Sequence, residues 1–428
     1  MIHPHRSSSS VITRRRFLGT VAGLGIGAAL RRGLQSRAAA RFDAESPITV
    51  LGPRPDWAPG MNLVFDAFRD KFGVGVDFEP AAFSDLQAEQ EAGFASGNPH
   101  DVVAFLEGRQ IRDAAANKLI LDLTGAVSID QIILPARDQL VFDGGLWGVP
   151  LASYTWGIFY WKPAFAAVGA SDPKSWDDLF VACQLLLDAK QTPILMPAAE
   201  GAVPYFAYIL AVSSLLGVDG WPELLQGNRR LDDGDLVGAA QLLVDLVPYF
   251  NPDFAKLDFP TARLQFIKGL GAMTVGSSLD YTRLSNPAQV GGNSDLGFLP
   301  FPSPDGTRPP ATVTGVDALY TATAARNRKE AIDLLAWLVQ PEAQQIVADN
   351  LALPVNATTT PSTDPLSAMV VAVRQGATDL PVWYAIPATA DTFAGAQSLL
   401  GPLLEGGLSA TDFAAKLQES IAAPQPNA

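Results

Sequence analysis

A chain of 428 residues that is 48% hydrophobic and only 17% charged can bury sizeable cores, and its length suggests two to three domains, two large ones being the simpler reading. A single cysteine, Cys183, excludes an internal disulfide and any zinc or iron–sulfur centre built from this chain's cysteines. Of three histidines only His100 lies outside the N-terminal tail, so no multi-histidine metal set exists and a Ser-His-Asp arrangement has one candidate; no cofactor is expected.

The formal net charge of −14 hides an asymmetry, because residues 1–40 hold seven Arg and no Asp or Glu. Thr13-Arg14-Arg15-Arg16-Phe17-Leu18 introduces a Gly-rich apolar stretch to Leu30, and Ala38-Ala39-Ala40 supplies the small residues of a cleavage site. This pattern resembles a twin-arginine export signal. A membrane anchor is the competing reading, but fourteen weakly apolar residues fall short of the roughly 20 needed to span hydrocarbon. No cysteine follows the stretch, which speaks against lipid anchoring there. Without residues 1–40 the chain has 23 basic against 44 acidic residues, a net charge near −21, and phosphate-rich partners such as nucleic acid or anionic lipid are repelled. An exported, periplasmic or extracytoplasmic soluble protein is expected, and a monomer.

From Pro47 onward short apolar runs alternate with helix-period segments. Ile48 to Leu51 reads as a strand; Leu63, Val64, Ala67, Phe68 and Phe72 fall on one helical face; Val74, Val76 and Phe78 alternate as in a half-buried strand. A helix over Phe83 to Ser96 ends at Gly97-Asn98-Pro99, and Asp101 to Leu106 is the continuous apolar run of a strand covered on both faces. Strand, helix, strand, helix, strand implies βαβ units and a doubly wound α/β sheet. Asp143-Gly144-Gly145 between Gln139 to Phe142 and Leu146 to Val149 reads as a hairpin. Helical patterns follow at 175–189, 204–216, 235–247 and 260–268, with the apolar 203–218 read as buried rather than membrane-spanning. Strands at 272–275, 296–299 and 318–320 precede helices at 329–339 and 341–350, the last opened by Pro341. No composition break separates the parts, which fits two lobes that share several crossings.

Several segments in order resemble the bacterial extracellular solute-binding proteins of family 1, the maltose-binding-like receptors of ABC importers. They are Phe68-Arg69-Asp70-Lys71-Phe72, Gly97 to Val103, Phe142-Asp143-Gly144-Gly145-Leu146-Trp147-Gly148-Val149-Pro150, Phe159-Tyr160-Trp161-Lys162, Lys268 to Gly276, Gly297 to Pro302, Lys329 to Gln340 and Leu353-Pro354-Val355. The resemblance implies a two-lobe periplasmic-binding-protein-like fold, each lobe a mostly parallel sheet flanked by helices, that closes on a small solute and presents it to membrane permease subunits, without catalysis. By the same analogy lobe one takes 46–152 plus 276–321, and lobe two 153–275 plus 322–428.

A sugar offers an apolar C–H face that stacks on aromatic rings, and hydroxyls that need short polar partners. Candidates by position are Asp56 and Trp57 after the first strand, Glu107 and Arg109 after the third, and Tyr154 and Trp156 at the predicted crossing. To these we add Tyr205 at a helix start, Asp280 and Tyr281 after the strand at Val275, Asp317 before the last crossing and Trp383 in a Pro-bounded loop. Where maltose-like receptors carry an aromatic in a G-P-W-like turn, this chain has Gly276-Ser277-Ser278-Leu279-Asp280-Tyr281, which speaks against a maltodextrin and leaves open a smaller or less planar sugar, a polyol or another solute, with Tyr281 as a candidate displaced ring; a small carbohydrate or polyol is the expected ligand. A cationic solute such as a polyamine, held by Asp56, Glu107, Asp280 and Asp317 with cation–π support, is a second reading. An exported enzyme acting on sugars is a third, but the adjacent Asp232 and Asp233 read better as a turn and cap than as a carboxylate pair across a substrate.

Overall fold

A computed structural model describes residues 46–53, 55–105, 108–225, 227–281, 295–360, 362, 364–381 and 390–422. The strands are β1 (Ile48–Pro53), β2 (Val76–Ala81), β3 (Val102–Phe105), β4 (Val141–Phe142), β5 (Gly145–Leu146), β6 (Val149–Trp161), β7 (Met273–Ser277), β8 (Leu296–Leu299), β9 (Ala311–Thr321) and β10 (Thr378–Pro381). The helices are α1 (Ala58–Phe72), α2 (Phe83–Ala95), α3 (Gly108–Ala116), α4 (Leu134–Arg137), α5 (Lys162–Val168), α6 (Trp176–Asp188), α7 (Ala202–Leu225) and α8 (Val237–Leu246). They continue with α9 (Phe259–Ile267), α10 (Ser278–Tyr281), α11 (Arg328–Leu338), α12 (Pro341–Asn350), α13 (Pro365–Gly376), α14 (Ala390–Leu404) and α15 (Ala410–Ala422). Among the described residues no helix is long and apolar enough to cross a membrane.

The expected strand–helix–strand opening forms as a parallel β2–β1–β3 sheet. Beyond β3 the same sheet continues through β9, β6 and β7 in antiparallel pairings, with β8 also on β6 and β10 parallel to β9. The 143–145 hairpin forms as read, Asp143 and Gly144 both adopting positive φ (50° and 76°) as a tight hairpin turn demands. Two strands are much longer than their apolar pattern suggests, because β6 runs 13 residues and β9 runs 11 through Ser, Thr, Gly and Asp.

Buried side chains divide into a first core and a second lobe with a core on either face of its sheet. The first gathers β1, β3 and α1 with Val149, Leu151 and Ala152 of β6 and Val316 to Tyr320 of β9. The second lobe carries Trp156, Ile158 and Tyr160 of β6 against α6, α7, α8, α14 and α15 on one face. On its other face Phe159 meets Phe266 of α9, Phe298 of β8 and Leu366 and Val370 of α13. Here the partition differs from the one expected. Helices α11 and α12, assigned above to lobe two, bury Leu334, Leu335, Trp337 and Val347 in the first core, where Trp337 lies 5.6 Å from Phe68. Conversely β8 and Val313, assigned to lobe one, lie in the second-lobe cores. An apolar helical face says that a helix is covered but not by which lobe.

The chain changes core inside β6 between Ala152 and Trp156 and inside β9 between Val313 and Val316; it does so again around α10, where Leu279 joins the first core between Val275 and Leu296, and around Leu353, which lies in a second-lobe core between Val347 and Val355 of the first, before Leu366 returns to the second lobe. A β-bulge marks the first passage: Pro150 pairs with Ala318 and Ala152 with Asp317, leaving Leu151 as the extra residue.

Candidate functional site

Successive residues of a strand face opposite sides, so the passage in β6 has two chemically distinct faces. Tyr154 and Trp156 lie on one, and Ser153 and Thr155 on the other. Tyr154 packs against both the first core and the second, as a residue at the junction must. Its ring lies over Gly315, its partner on β9, where a Cβ would come within 2.3 Å of Cζ. Trp156 stacks on Phe206 with ring centroids 3.7 Å apart and planes 13° from parallel, and Phe206 meets Tyr205 edge-on at 5.4 Å. Both α7 residues follow Pro204 in the first turn of the helix. Tyr154 and Phe206 are half-buried, so this aromatic face retains some exposure.

The other face is closed. Ser153, Thr155, Thr312 and Thr314 have no exposed surface. Ser153 Oγ lies 3.3 Å from the Leu353 carbonyl and 3.2 Å from that of Pro354, and accepts from Arg374 Nη1 at 3.2 Å. Asp379 accepts from Thr314 Oγ1 at 2.7 Å and Thr312 Oγ1 at 3.0 Å, with Arg374 Nε 3.8 Å away. With the Thr314 proton committed to Asp379, the 3.0 Å contact between Thr155 and Thr314 is donated by Thr155. Burial pushes the Asp379 carboxyl up to about 6, against the pull of Arg374 and the two threonines, and it depresses the Arg374 guanidinium in turn.

The residues expected around a ligand separate into three groups. Tyr154, Trp156 and Tyr205 come together at the aromatic face; Trp156 is 8% and Tyr205 5% exposed, so these two back the site more than they line it. Asp280 is half-buried in α10, whose first residue, Ser278, accepts from the Thr155 N–H at 3.1 Å and so anchors that helix to the same strand. Asp317, on β9, pairs with Ala152 of β6 and is 8% exposed. Trp57 stands apart, because at 2% exposure it is part of the first core and offers no surface to a solute. Glu107 and Trp383 lie outside the described residues, as do the side chains of Asp56, Arg109 and Tyr281. Phe206 was not among the sequence candidates; the signal that could have found it is the Pro-Tyr-Phe run at a helix start, where one ring is buried and the next left half open. Among the described residues no three His, Cys, Asp or Glu side chains come together in a way that could hold a metal ion.

Residues 54–345 match the family model described as bacterial extracellular solute-binding protein. A curated relative, the putative ABC transporter periplasmic-binding protein YcjN of Escherichia coli strain K12, is 25% identical over 270 residues, which are 60% of this chain and 58% of that protein. Among solved structures, the fold matches a chitin oligosaccharide binding protein with a TM-score of 0.75 at 17% identity, over 87% of this chain and 98% of the other. It also matches the solute-binding protein RafE in complex with raffinose, with a TM-score of 0.70 at 18% identity over 88% and 100%. With the family model spanning both core-switching strands and the aromatic face they present, the chain belongs to the bacterial extracellular solute-binding proteins.

Proposed function

We propose that this protein is the extracytoplasmic receptor of an ABC importer, holding a small carbohydrate or polyol between its lobes and delivering it unchanged to membrane permease subunits. The observation that carries the reading is the placement of Tyr154: a half-buried ring on a core-switching strand, touching both lobes and flanked by the Trp156–Phe206 stack. Rings at such a junction offer a flat apolar surface that the C–H face of a sugar can cover as the lobes close. The opposite face is filled by the protein's own hydrogen bonds, which leaves the aromatic side as the one open to a solute. The raffinose and chitin-oligosaccharide receptors of the same fold make carbohydrates the first class to try. Residues 1–40, outside the described residues, are read as a twin-arginine export signal, and the mature protein as a monomer without catalytic activity.

The test is calorimetric titration of the mature protein with raffinose, chitin oligosaccharides, maltose and free polyols, with a diamine as the control arm. Saturable sugar or polyol binding without turnover is expected, and Tyr154→Ala should weaken it by roughly tenfold, about 1.4 kcal/mol. Binding of the diamine alone would replace this reading with a cation receptor in which Asp280 and Asp317 carry the recognition.

A further inference from the structure

The hydroxyl face of the crossing is closed by the protein itself, yet it joins the one ion pair among the described residues whose two side chains are both nearly buried, Arg374 and Asp379. We propose that this pair is a proton-sensitive latch on the hinge: a proton on Asp379 holds the lobes in the dry arrangement seen here, and its loss frees them to move. The inference rests on the two-lobe receptor reading above.

The geometry ties the pair to both long strands that pass between the cores and, through Ser153, to the passage at Leu353. In β9 a relative turn of the lobes must bend the chain between Val313 and Val316, and Thr314, inside that interval, donates to Asp379 at 2.7 Å. In β6 the same turn falls between Ala152 and Trp156, where Thr155 donates to Thr314 and Ser153 accepts from Arg374. The passage at Leu353 is held through the same Ser153, next to the Leu353 and Pro354 carbonyls. From the first lobe Gln139, just after α4, donates to the Thr314 carbonyl at 3.2 Å. Hinge motion cannot leave this seam intact, and opening it admits water to the pair.

The charged and titratable groups on the elements packed against β10 are few. Helix α13 contributes Arg374 and no other charge; β9 opposes Asp379 with two neutral threonines and carries Asp317 further along. Arg137 of α4 is directed to Asp138 at 3.8 Å. Helix α7 carries Tyr205 and Tyr208, with Asp219 and Glu223 beyond its break at Gly217. Burial is what pushes Asp379 up to about 6 in this arrangement. Hydration would return it toward the ordinary carboxylate range, so the dry arrangement binds the proton more tightly than any wetter one. By linkage, low pH favours the dry arrangement, and that preference is lost as pH rises through about 6.

Spin labels on Glu89→Cys of the first lobe and Asp245→Cys of the second, both exposed, report the interlobe distance by pulsed electron resonance in the mature protein without solute. Between about pH 5 and about pH 7.5 the distance distribution should broaden or shift with a midpoint near 6. Asp379→Asn, whose amide imitates the protonated carboxyl, should hold the low-pH distribution throughout. Thr314→Val, which removes the shortest hydrogen bond to the carboxylate, should move the midpoint upward and serves if Asp379→Asn fails to fold by circular dichroism. A distribution indifferent to pH, a step that survives Asp379→Asn, or a midpoint unmoved by Thr314→Val overturns the latch. Titrations with raffinose and maltose at both pH values separate the two readings: a pH step with no sugar binding removes the carbohydrate reading alone, and sugar binding with no step removes the latch alone.

Discussion

Replacing Gly315 by alanine tests the crossing with a single methyl group. Its Cβ would lie 2.3 Å from Cζ, 2.4 Å from Cε2 and 2.5 Å from Oη of Tyr154. Non-bonded carbons rest about 3.5–4.0 Å apart, so the overlap exceeds roughly 1 Å. The backbone cannot yield easily, because Tyr154 and Gly315 are registered partners in the middle of two long paired strands. Tyr154 must therefore turn off its preferred rotamer, at about 0.5–1.5 kcal/mol, or the sheet must accept overpacking at about 1–3 kcal/mol. We expect a loss of about 2 kcal/mol, measured by urea unfolding followed through tryptophan fluorescence, together with weaker sugar binding because the ring leaves its place. In a Tyr154→Ala background the three nearest contacts of that methyl are gone, so the double-mutant cycle should return a coupling nearly equal to the whole cost. If Gly315→Ala costs as much without the ring as with it, the clash is not what sets this position and the description of the junction is wrong.

Three further outcomes follow from the same structure. Asp101 accepts from the Thr49 N–H and hydroxyl, the Arg326 N–H, and the Asn327 N–H and side-chain amide; burial opposes its charge, but these hydrogen bonds together hold the carboxyl below its ordinary range. A depressed carboxylate contributes stability above its ordinary pKa and loses it as pH falls through that range, so Asp101→Asn should cost about 2–3 kcal/mol at neutral pH and less at about pH 3.5 in chemical denaturation; an equal cost at both would count against it. Cys183 is fully buried with its thiol pushed up to about 12 by desolvation, so a disulfide-forming thiol reagent should leave the native protein unlabelled and react one to one only after unfolding in urea; labelling of the native state would contradict the burial. Gly217 breaks α7 with φ 61° and ψ −170°, a region closed to residues with a side chain, so Gly217→Ala should lower the melting midpoint by the equivalent of about 1–3 kcal/mol, and an unchanged midpoint would show that the break relaxes freely.

How far the sequence carried can be judged strand by strand. The opening strands and the 143–145 hairpin were legible because each obeys a local rule, either an apolar run or a turn that requires positive φ. In β6 the run Val149-Pro150-Leu151-Ala152-Ser153-Tyr154-Thr155-Trp156-Gly157 is interrupted by proline, hydroxyls and glycine, so its pattern reads as no strand beyond the hairpin arm that ends at Val149. In β9 Thr312, Thr314 and Asp317 likewise hid everything before Ala318. Those polar residues are partners in a network that no single segment reveals, since Ser153, Thr314, Leu353 and Asp379 are distant in sequence. Trp57 departs from its expected place for a related reason. Position after a strand's carboxyl end suggested a ligand ring, but the chain turns straight into α1 and carries the indole into the first core. The helices and strand after Asn350 lacked a clear period, with prolines and glycines inside or at the ends of α13 and α14, and became visible only through what they cover.

On the readings proposed above, one strand serves both solute and hinge only because its register is fixed. A slip of one residue in β6 would exchange its faces, sending Ser153 and Thr155 toward the aromatic cluster and Tyr154 and Trp156 into the buried seam beside Arg374. The bulge at Leu151 sets the phase, since two β6 steps there match one on β9, from Pro150 opposite Ala318 to Ala152 opposite Asp317. Pro150 suits this place because it has no N–H to give to a ladder that is already interrupted. Beyond the bulge the phase is checked again by size, with Tyr154 seated over Gly315 and the Tyr160 ring over Gly297, neither of which could accept a side chain opposite an aromatic. The bulge that blurred the strand in the sequence, with the glycines that face its rings from β8 and β9, is thus what separates its two faces, and on the proposed reading any account of solute specificity must keep the aromatic face and the polar seam as coupled halves of one register.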